Sequence, residues 1–511
     1  MPPFIALVLW LICLAALLVF DPANDARLSP ASWLTVIWLF IAGTRLPSQW
    51  IGGAGTMSAA ALEDGNPLDR AIFMALILLS IWILISRSFR WSGFFVSNWA
   101  LTAFLALALI SAVWSDFPLI AIKRWIRDFG TYLIVLVVLS DPRPVEAVRA
   151  VLRRLSYLLI PLSIMLDKYF PEVSKQYDPW TGIGYYAGAS TSKNMLGLMC
   201  LVSGLFFFWD IVTRWRDRKQ KRTKRILLID AALFGMTVWL LHTAESTTSY
   251  VCLGIGCMVL LLAHTGFYRR HPRLVQILIP SLFCAYLFLD FGLGMNGSLA
   301  QAVGKNATLS DRTKIWAFLL SMHTNPVIGT GYQTFWLGWR LQYVWTKSGL
   351  GFLNEAHNGY LEVYLEEGMV GVAVLAVFLA QSYHGICKRL KRSSSLAVLG
   401  MAVWIASCFT TCRKPRLRAA CFMRCSCWES LCFRPRKSSY RPPPHPAGRS
   451  REHQLPGLRR KQPARAPRSG WRTEIHLKSE PVHKENPICG SKGTGLEKRA
   501  RRLWIFAVKK G

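Results

Sequence analysis

"NEAHNGYLEVYLEEGMVGVAVLAVFL" occupies residues 354–379. A polar, acidic and aromatic stretch runs without punctuation into an apolar one. From Gly368 to Leu379 there are only Gly, Met, Val, Ala, Leu and Phe. Such a run is apolar on every side of a helix, so it must be enclosed by protein or by lipid. Runs of this kind recur along the 511 residues, at roughly 4–20, 31–46, 71–85, 93–114, 129–140 with its flank, 151–166, 194–213, 226–243, 249–267, 274–292, 360–384 and 396–411. A span takes about 20 apolar residues at ~1.5 Å each. With 52% hydrophobic residues and a mean hydropathy of +0.29, the chain reads as an all-α polytopic membrane protein of about 11–12 spans. Residues 4–20 lack a preceding basic region and a small-residue cleavage site, so they read as a first span rather than a signal peptide.

A net charge of +33 would suit a nucleic-acid binder, but its distribution argues against that. Residues 412–511 alone hold 26 Lys and Arg against 6 Glu and no Asp. This tail also carries six of the 13 Cys and eleven of the 26 Pro, with no helical or strand period. Cys421, Cys425, Cys427 and Cys432 are close together, but no second CxxC pair or HxxxH completes a zinc set. A basic tail binds any polyanion, so no nucleic-acid partner is inferred. The composition breaks inside an apolar segment, "SLAVLGMAVWIASCFTT", as a shifted reading frame would make it. The domain reading is therefore a membrane domain over 1–411 and an aberrant basic tail over 412–511.

Loop charge sets orientation. "RWRDRKQKRTKR" (214–225), "YRRHPR" (268–273), "CKRLKR" (387–392), "RSFR" (87–90) and "DPRPVEAVRAVLRR" (141–154) are basic and fall on one side. By the positive-inside rule that side is cytoplasmic. The opposite face carries 47–70, 115–128, 167–193, 244–248 and one long loop, 293–359. Counting back places the N-terminus outside and the loop 21–30 inside.

Basic residues on the outer face have no topogenic explanation and are candidates for function. They are Lys123, Arg124 and Arg127 in "FPLIAIKRWIRDFG", Lys193 in "STSKNMLG", and Arg312 and Lys314 in "LSDRTKIW". Lys123 and Lys314 also suit snorkelling to headgroups. Within the long loop, Ser310 as N-cap and Asp311 in the first turn begin a short helix whose apolar face is Ile315, Phe318 and Leu319. "NPVIGTGYQTFW" ends it with Pro326, Gly329 and Gly331. Tyr332, Phe335, Trp336, Trp339, Tyr343 and Trp345 follow, as an interfacial belt or as surfaces for stacking on sugar rings. His357 and Asn358 precede the next span, and Glu362 and Glu366 share one of its faces.

These motifs, in this order, resemble the O-antigen ligase and polymerase superfamily over roughly residues 70–411. "AHNGYLEVYLEEGMVGVAVL" is similar to its His-Asn-x-Tyr-Leu-Glu…Glu-x-Gly-x-x-Gly signature. "LSDRTKIW" resembles its Gly-Arg-Thr-x-x-Trp element, with Asp311 where Gly is common. "NPVIGTGYQTFW" resembles the turn that follows, and "STSKNMLG" the start of a middle span. "SKNMLG" and "GYQTFW" are closest to the exopolysaccharide-production branch. The core of the resemblance is about 190–385, and the tail has no counterpart.

The resemblance implies a bacterial inner-membrane enzyme. It would transfer a glycan from undecaprenyl diphosphate to a sugar hydroxyl at the periplasmic face, polymerising exopolysaccharide repeats or, alternatively, ligating glycan to lipid A-core or protein. Cations suit the departing diphosphate, and Arg binds phosphate oxygens in a fork. Arg312 is the first candidate, with Lys193, Arg124 and Arg127 supporting. His357 suits the base that takes the acceptor's proton, since imidazole exchanges protons near neutral pH. Tyr332, Trp336, Asn358 and Glu362 are the candidate glycan contacts. No metal or other cofactor is expected. Expected partners are the lipid-linked glycan, membrane lipid, and the flippase and chain-length regulator of an assembly system. A transporter is the rival of another class. It predicts internal repeats and mid-span charges, and the sequence has no convincing repeat.

Overall fold

The computed structural model describes residues 2–26, 28–52, 65–177, 182, 184–265, 276–277, 280–281, 309–349, 352–390 and 395–411, with the side chains of 26 and 309–313 left aside. The tail after 411 and the expected span at 274–292 therefore lie outside the described residues, apart from a few positions in the latter. Each other segment read as a span is helical. The helices are α1 (Pro3–Val19), α2 (Ser32–Gly43), α3 (Pro67–Ser86), α4 (Trp99–Ile110), α5 (Pro118–Leu139), α6 (Pro144–Tyr169), α7 (Lys193–Arg214), α8 (Lys221–Thr243), α9 (Thr247–His264), α10 (Leu309–Ser321), α11 (Gly338–Lys347), α12 (Gly359–Leu390) and α13 (Ser395–Thr411). A two-stranded antiparallel hairpin, β1 (Lys175–Tyr177) and β2 (Gly184–Tyr186), precedes α7. Among the described residues, six helices are long and apolar enough to cross a membrane. The protein is thus all-α and polytopic.

Local chemistry explains the helix starts. Proline opens α1, α3, α5 and α6 in the first turn, where its missing N–H costs nothing. Asn66 caps α3 by accepting from Leu68 N at 2.9 Å, and Ser192 caps α7 by accepting from Met195 N at 3.3 Å. The straight span expected at 93–114 is instead a bent pair. A short helix, Trp91–Ser97, meets Trp99–Trp114 at 96°, and the Asn98 side chain at the corner donates to Phe94 O at 2.9 Å. An amide side chain can replace the helix's own partners at that point, which lets the chain turn.

Two of the loops grouped by charge, 87–90 and 141–154, do meet. Arg87 of the 87–90 loop donates to Val137 O at 2.7 Å and Ser140 Oγ at 2.8 Å. Asp141 accepts from Ser29 N at 3.2 Å, and Arg154 pairs with Asp21 at 2.7 Å. The loop 21–30 therefore shares a face with 87–90 and 141–154. Just inside that face Arg153, 3% exposed, pairs with Asp210 and with Asp230 at 3.1 Å, tying α6 to α7 and α8. Asp210 is also paired with Arg214 at 2.7 Å.

The apolar interior falls into separate clusters. The largest joins α2–α9 with α12 and α13, around Phe206, Phe207 and Trp209 of α7, which are all 0% exposed. A second, smaller core belongs to the long loop. Ile315 and Leu319 of α10, Phe335 and Trp336, Leu341 and Val344 of α11, Leu353, Ala356 and Leu365 pack together. The loop helix expected from the Ile315, Phe318 and Leu319 spacing is present as α10, and the capping role expected of Ser310 falls on a side chain outside the described ones. A second loop helix, α11, accompanies it. Its polar residues and short length gave no span-like signal.

Candidate active site

The site is built around a break in α12. At Gly368 the backbone leaves the helix (φ 64°, ψ −162°), a conformation essentially reserved for glycine. The "NPVIGTGYQTFW" turn fills the gap. Thr330 N donates to Leu365 O at 3.1 Å and Gly331 N to Glu366 O at 2.7 Å. In return Met369 N donates to Pro326 O at 2.9 Å and Val370 N to Val327 O at 3.1 Å. Backbone groups freed by the break are thus satisfied within the protein, as a low-dielectric setting requires. The two backbones approach so closely that a Cβ on Gly368 would lie 2.2 Å from Val327 O, and one on Gly329 2.4 Å from Glu366 C. The Gly-x-Gly of the turn and the Glu-Glu-Gly of α12 are two halves of one joint.

On its other side the turn is bolted to the segment that follows α4, residues 111–115, and to α5. Tyr332 N donates to Ser111 Oγ at 2.9 Å, Trp114 Nε1 to Ile328 O at 3.1 Å, and Ser115 Oγ to Thr334 Oγ1 at 2.8 Å. Asp128 of α5 is the hub. Its Oδ2 accepts from Tyr332 OH at 2.7 Å and from Gln333 Nε2, and its Oδ1 pairs with Arg127 Nε at 3.4 Å. Arg124, one turn earlier, donates to Gln333 O. Burial, and then the neighbouring Asp128 carboxylate, push the Tyr332 phenol well above its ordinary pKa, so it stays a donor.

The third component is the loop that carries His357. Trp345 Nε1 donates to Leu353 O at 2.8 Å, and Trp316 Nε1 donates to Ala356 O at 2.9 Å. Glu362, 1% exposed, accepts from Ala356 N at 2.6 Å and from Trp336 Nε1 at 2.9 Å. Asn358 caps α12, accepting from Tyr360 N at 3.0 Å and Leu361 N at 3.3 Å. Between these anchors His357 adopts φ 53°, which costs a non-glycine residue about 1 kcal/mol or more. Its Nδ1 lies 3.0 Å from Glu355 Oε1, and both side chains are 18% exposed.

The structure brings Arg124, Arg127 and Tyr332 into one cluster, and Trp336, Glu362, Asn358 and His357 into another. The turn 326–337 joins the two. Tyr332 and Trp336, expected at the glycan, are 5% and 9% exposed and serve as donors inside the framework, whereas Trp339 and Tyr343 of α11 are 58% and 44% exposed. Arg312 falls in the first turn of α10, the helix whose Trp316 holds the His357 loop, and its side chain lies outside the described ones. Lys193 stands on a different element pair, its ammonium 4.6 Å from the centroid of the Tyr185 ring of β2. Sequence reasoning missed Asp128 and Glu355. Asp128 adjoins Arg127 and Glu355 lies two positions before His357, and an acidic side chain close to a cationic or histidine candidate was the signal available. Among the described residues no group of three or more His, Cys, Asp or Glu side chains could hold a metal ion.

This arrangement of turn, broken helix and His357 loop is the region that comparison with known proteins selects. Residues 231–376 match the family model described as O-antigen ligase. A curated relative is the exopolysaccharide production protein ExoQ of Rhizobium meliloti (strain 1021). It is 25% identical over 312 residues, which cover 58% of this chain and 67% of that protein. Both bear out the resemblance to the O-antigen ligase and exopolysaccharide-production family. The O-antigen ligase match takes in Arg312, the turn, His357 and Gly368, and leaves out Arg124, Arg127, Asp128 and Lys193.

Proposed function

We propose that this protein is a membrane enzyme of polysaccharide assembly that transfers a glycan from undecaprenyl diphosphate to a sugar hydroxyl at the periplasmic face, joining exopolysaccharide repeats. The acceptor oxygen attacks the anomeric carbon and gives its proton to His357. The bond from that carbon to the diphosphate oxygen breaks, and its electron pair leaves with the diphosphate. Arg312, with Arg124, Arg127 and Lys193 in support, meets the growing negative charge. Preorganised cations cost no rearrangement at the moment of reaction, and a positioned base contributes about 10²–10⁴-fold.

The observation that carries this reading is the His357 loop. Three indole N–H groups and a buried carboxylate hold a histidine in left-handed backbone geometry at the mouth of a span. So elaborate a fixation suits a group whose direction matters. Ligation to another acceptor uses the same residues, and the name of the matching family favours it; the exopolysaccharide relative favours polymerisation. The break in α12 has the look of a transporter's discontinuous helix, where freed backbone groups face the cargo. Here Leu365 O, Glu366 O, Met369 N and Val370 N are taken by the turn, which favours the enzyme.

The test is reconstitution in proteoliposomes with undecaprenyl-diphosphate-linked oligosaccharide, scored by mass spectrometry for new glycosidic bonds. His357→Ala and Arg312→Ala are expected to abolish product while remaining in the membrane. Movement of glycan without bond formation by the unaltered protein would overturn the enzymatic reading.

A further inference from the structure

The groups around His357 point to an assignment for its neighbour. Glu355 and His357 flank Ala356, which is 0% exposed and has both backbone polar groups engaged: N–H by Glu362 at 2.6 Å and C=O by Trp316 at 2.9 Å. With the intervening residue clamped at both ends, and Leu353 O clamped by Trp345, the directions of residues 355 and 357 are set by the framework. The φ of 53° at His357 turns the backbone so that the imidazole Nδ1 comes to 3.0 Å from Glu355 Oε1. Glu362, from the first turn of α12, meets the same loop at Ala356 N and also accepts from Trp336 Nε1. Glu355 thus stands in contact with the ring.

We propose that Glu355 is the positioning residue of His357, holding its Nδ1–H so that Nε2 is the nitrogen that takes the acceptor's proton. The inference rests on the reading of His357 as base. A carboxylate at Nδ1 does two things for such a base. It selects the tautomer, since an Nδ1 that donates to Glu355 carries the hydrogen and leaves the lone pair on Nε2. It also balances the charge of the imidazolium formed when the hydroxyl proton arrives on Nε2. That proton later leaves with solvent or with the departing diphosphate, and Glu355 is unchanged through the cycle. The pairing of a base with a third orienting group is a general arrangement on unrelated folds.

The experiment uses the full chain with Glu355→Gln, Glu355→Ala and Glu355→Asp, and reads two quantities. The first does not depend on activity. In protein carrying isotopically labelled histidine, nitrogen NMR of His357, assigned by its loss in His357→Ala, distinguishes the ring nitrogen that carries hydrogen from the one that holds the lone pair. Nδ1–H is the form expected in the unaltered protein and in Glu355→Gln, whose amide oxygen still accepts, and a mixture of both forms is expected in Glu355→Ala. The second is the transfer rate. Glu355→Ala is expected to lower kcat about 10–10²-fold with the KM for lipid-linked donor unchanged, and Glu355→Asp to recover part of it. Undiminished Nδ1–H in Glu355→Ala overturns the pairing. A mixture of forms with full kcat in Glu355→Ala overturns the positioning role. Should His357→Ala retain full activity, the base reading itself falls, and the tautomer result still reports on the pair.

Discussion

Replacing Gly368 with alanine tests the joint on which the site depends. The backbone at Gly368 (φ 64°, ψ −162°) lies where alanine is disfavoured by about 1–3 kcal/mol. The added Cβ would also meet Val327 O at 2.2 Å and Val327 C at 2.3 Å, backbone atoms that cannot swing aside like a side chain. Relief requires the turn to withdraw, which strains the bonds Met369 N to Pro326 O and Val370 N to Val327 O. Two hydrogen bonds at about 0.5–1.5 kcal/mol each add to the conformational cost. The total is about 2–6 kcal/mol, concentrated at the joint, since the large apolar cluster of α2–α9, α12 and α13 is untouched. Gly329→Ala probes the same joint from the turn's side, its Cβ 2.4 Å from Glu366 C. Gly254→Ala is the control, with nothing beyond its own helix backbone within 4 Å of the added carbon. In detergent, thermal unfolding and limited proteolysis of the 326–331 turn are the assays, with glycan transfer alongside. Gly368→Ala and Gly329→Ala are expected to melt lower, expose the turn to protease and lose at least about tenfold in transfer, a factor equivalent to ~1.4 kcal/mol. Gly254→Ala is expected to match the unaltered protein. If Gly368→Ala behaved like the Gly254 control in all three assays, the interlocking of turn and broken helix would be refuted.

Two further substitutions probe the supports. Trp336→Phe keeps the ring but removes the indole donor to the buried Glu362, and is expected to cost about 1–3 kcal/mol, with a double-mutant cycle against Glu362→Gln returning a coupling of about 0.5–3 kcal/mol; strict additivity of the two changes would deny the contact. Arg153→Met takes from Asp230, 0% exposed, its arginine partner, while Asp210 keeps Arg214, and is expected to destabilise by about 3–5 kcal/mol in thermal unfolding. The double variant with Asp230→Asn is expected to recover much of that loss, because the penalty is uncompensated buried charge rather than lost packing.

Hydropathy, helix starts and loop charge are properties of neighbouring residues. The sequence by itself therefore determined the all-α membrane class, the helices at the described segments, six of them long and apolar enough to cross a membrane, the amphipathic helix α10 and the turn after it. It also displayed the motifs that resemble the O-antigen ligase family, because those are short strings with fixed order. What it could not display are pairings across distance. Asp128 and Tyr332 are 204 positions apart and Trp336 and Glu362 are 26 apart, and no local period links them. The bend at Asn98, the break at Gly368 and the split of the loop aromatics into buried donors and exposed rings follow from where separate helices come to rest. Only the tertiary structure decided those, since a backbone group or an indole N–H takes whichever partner packing delivers.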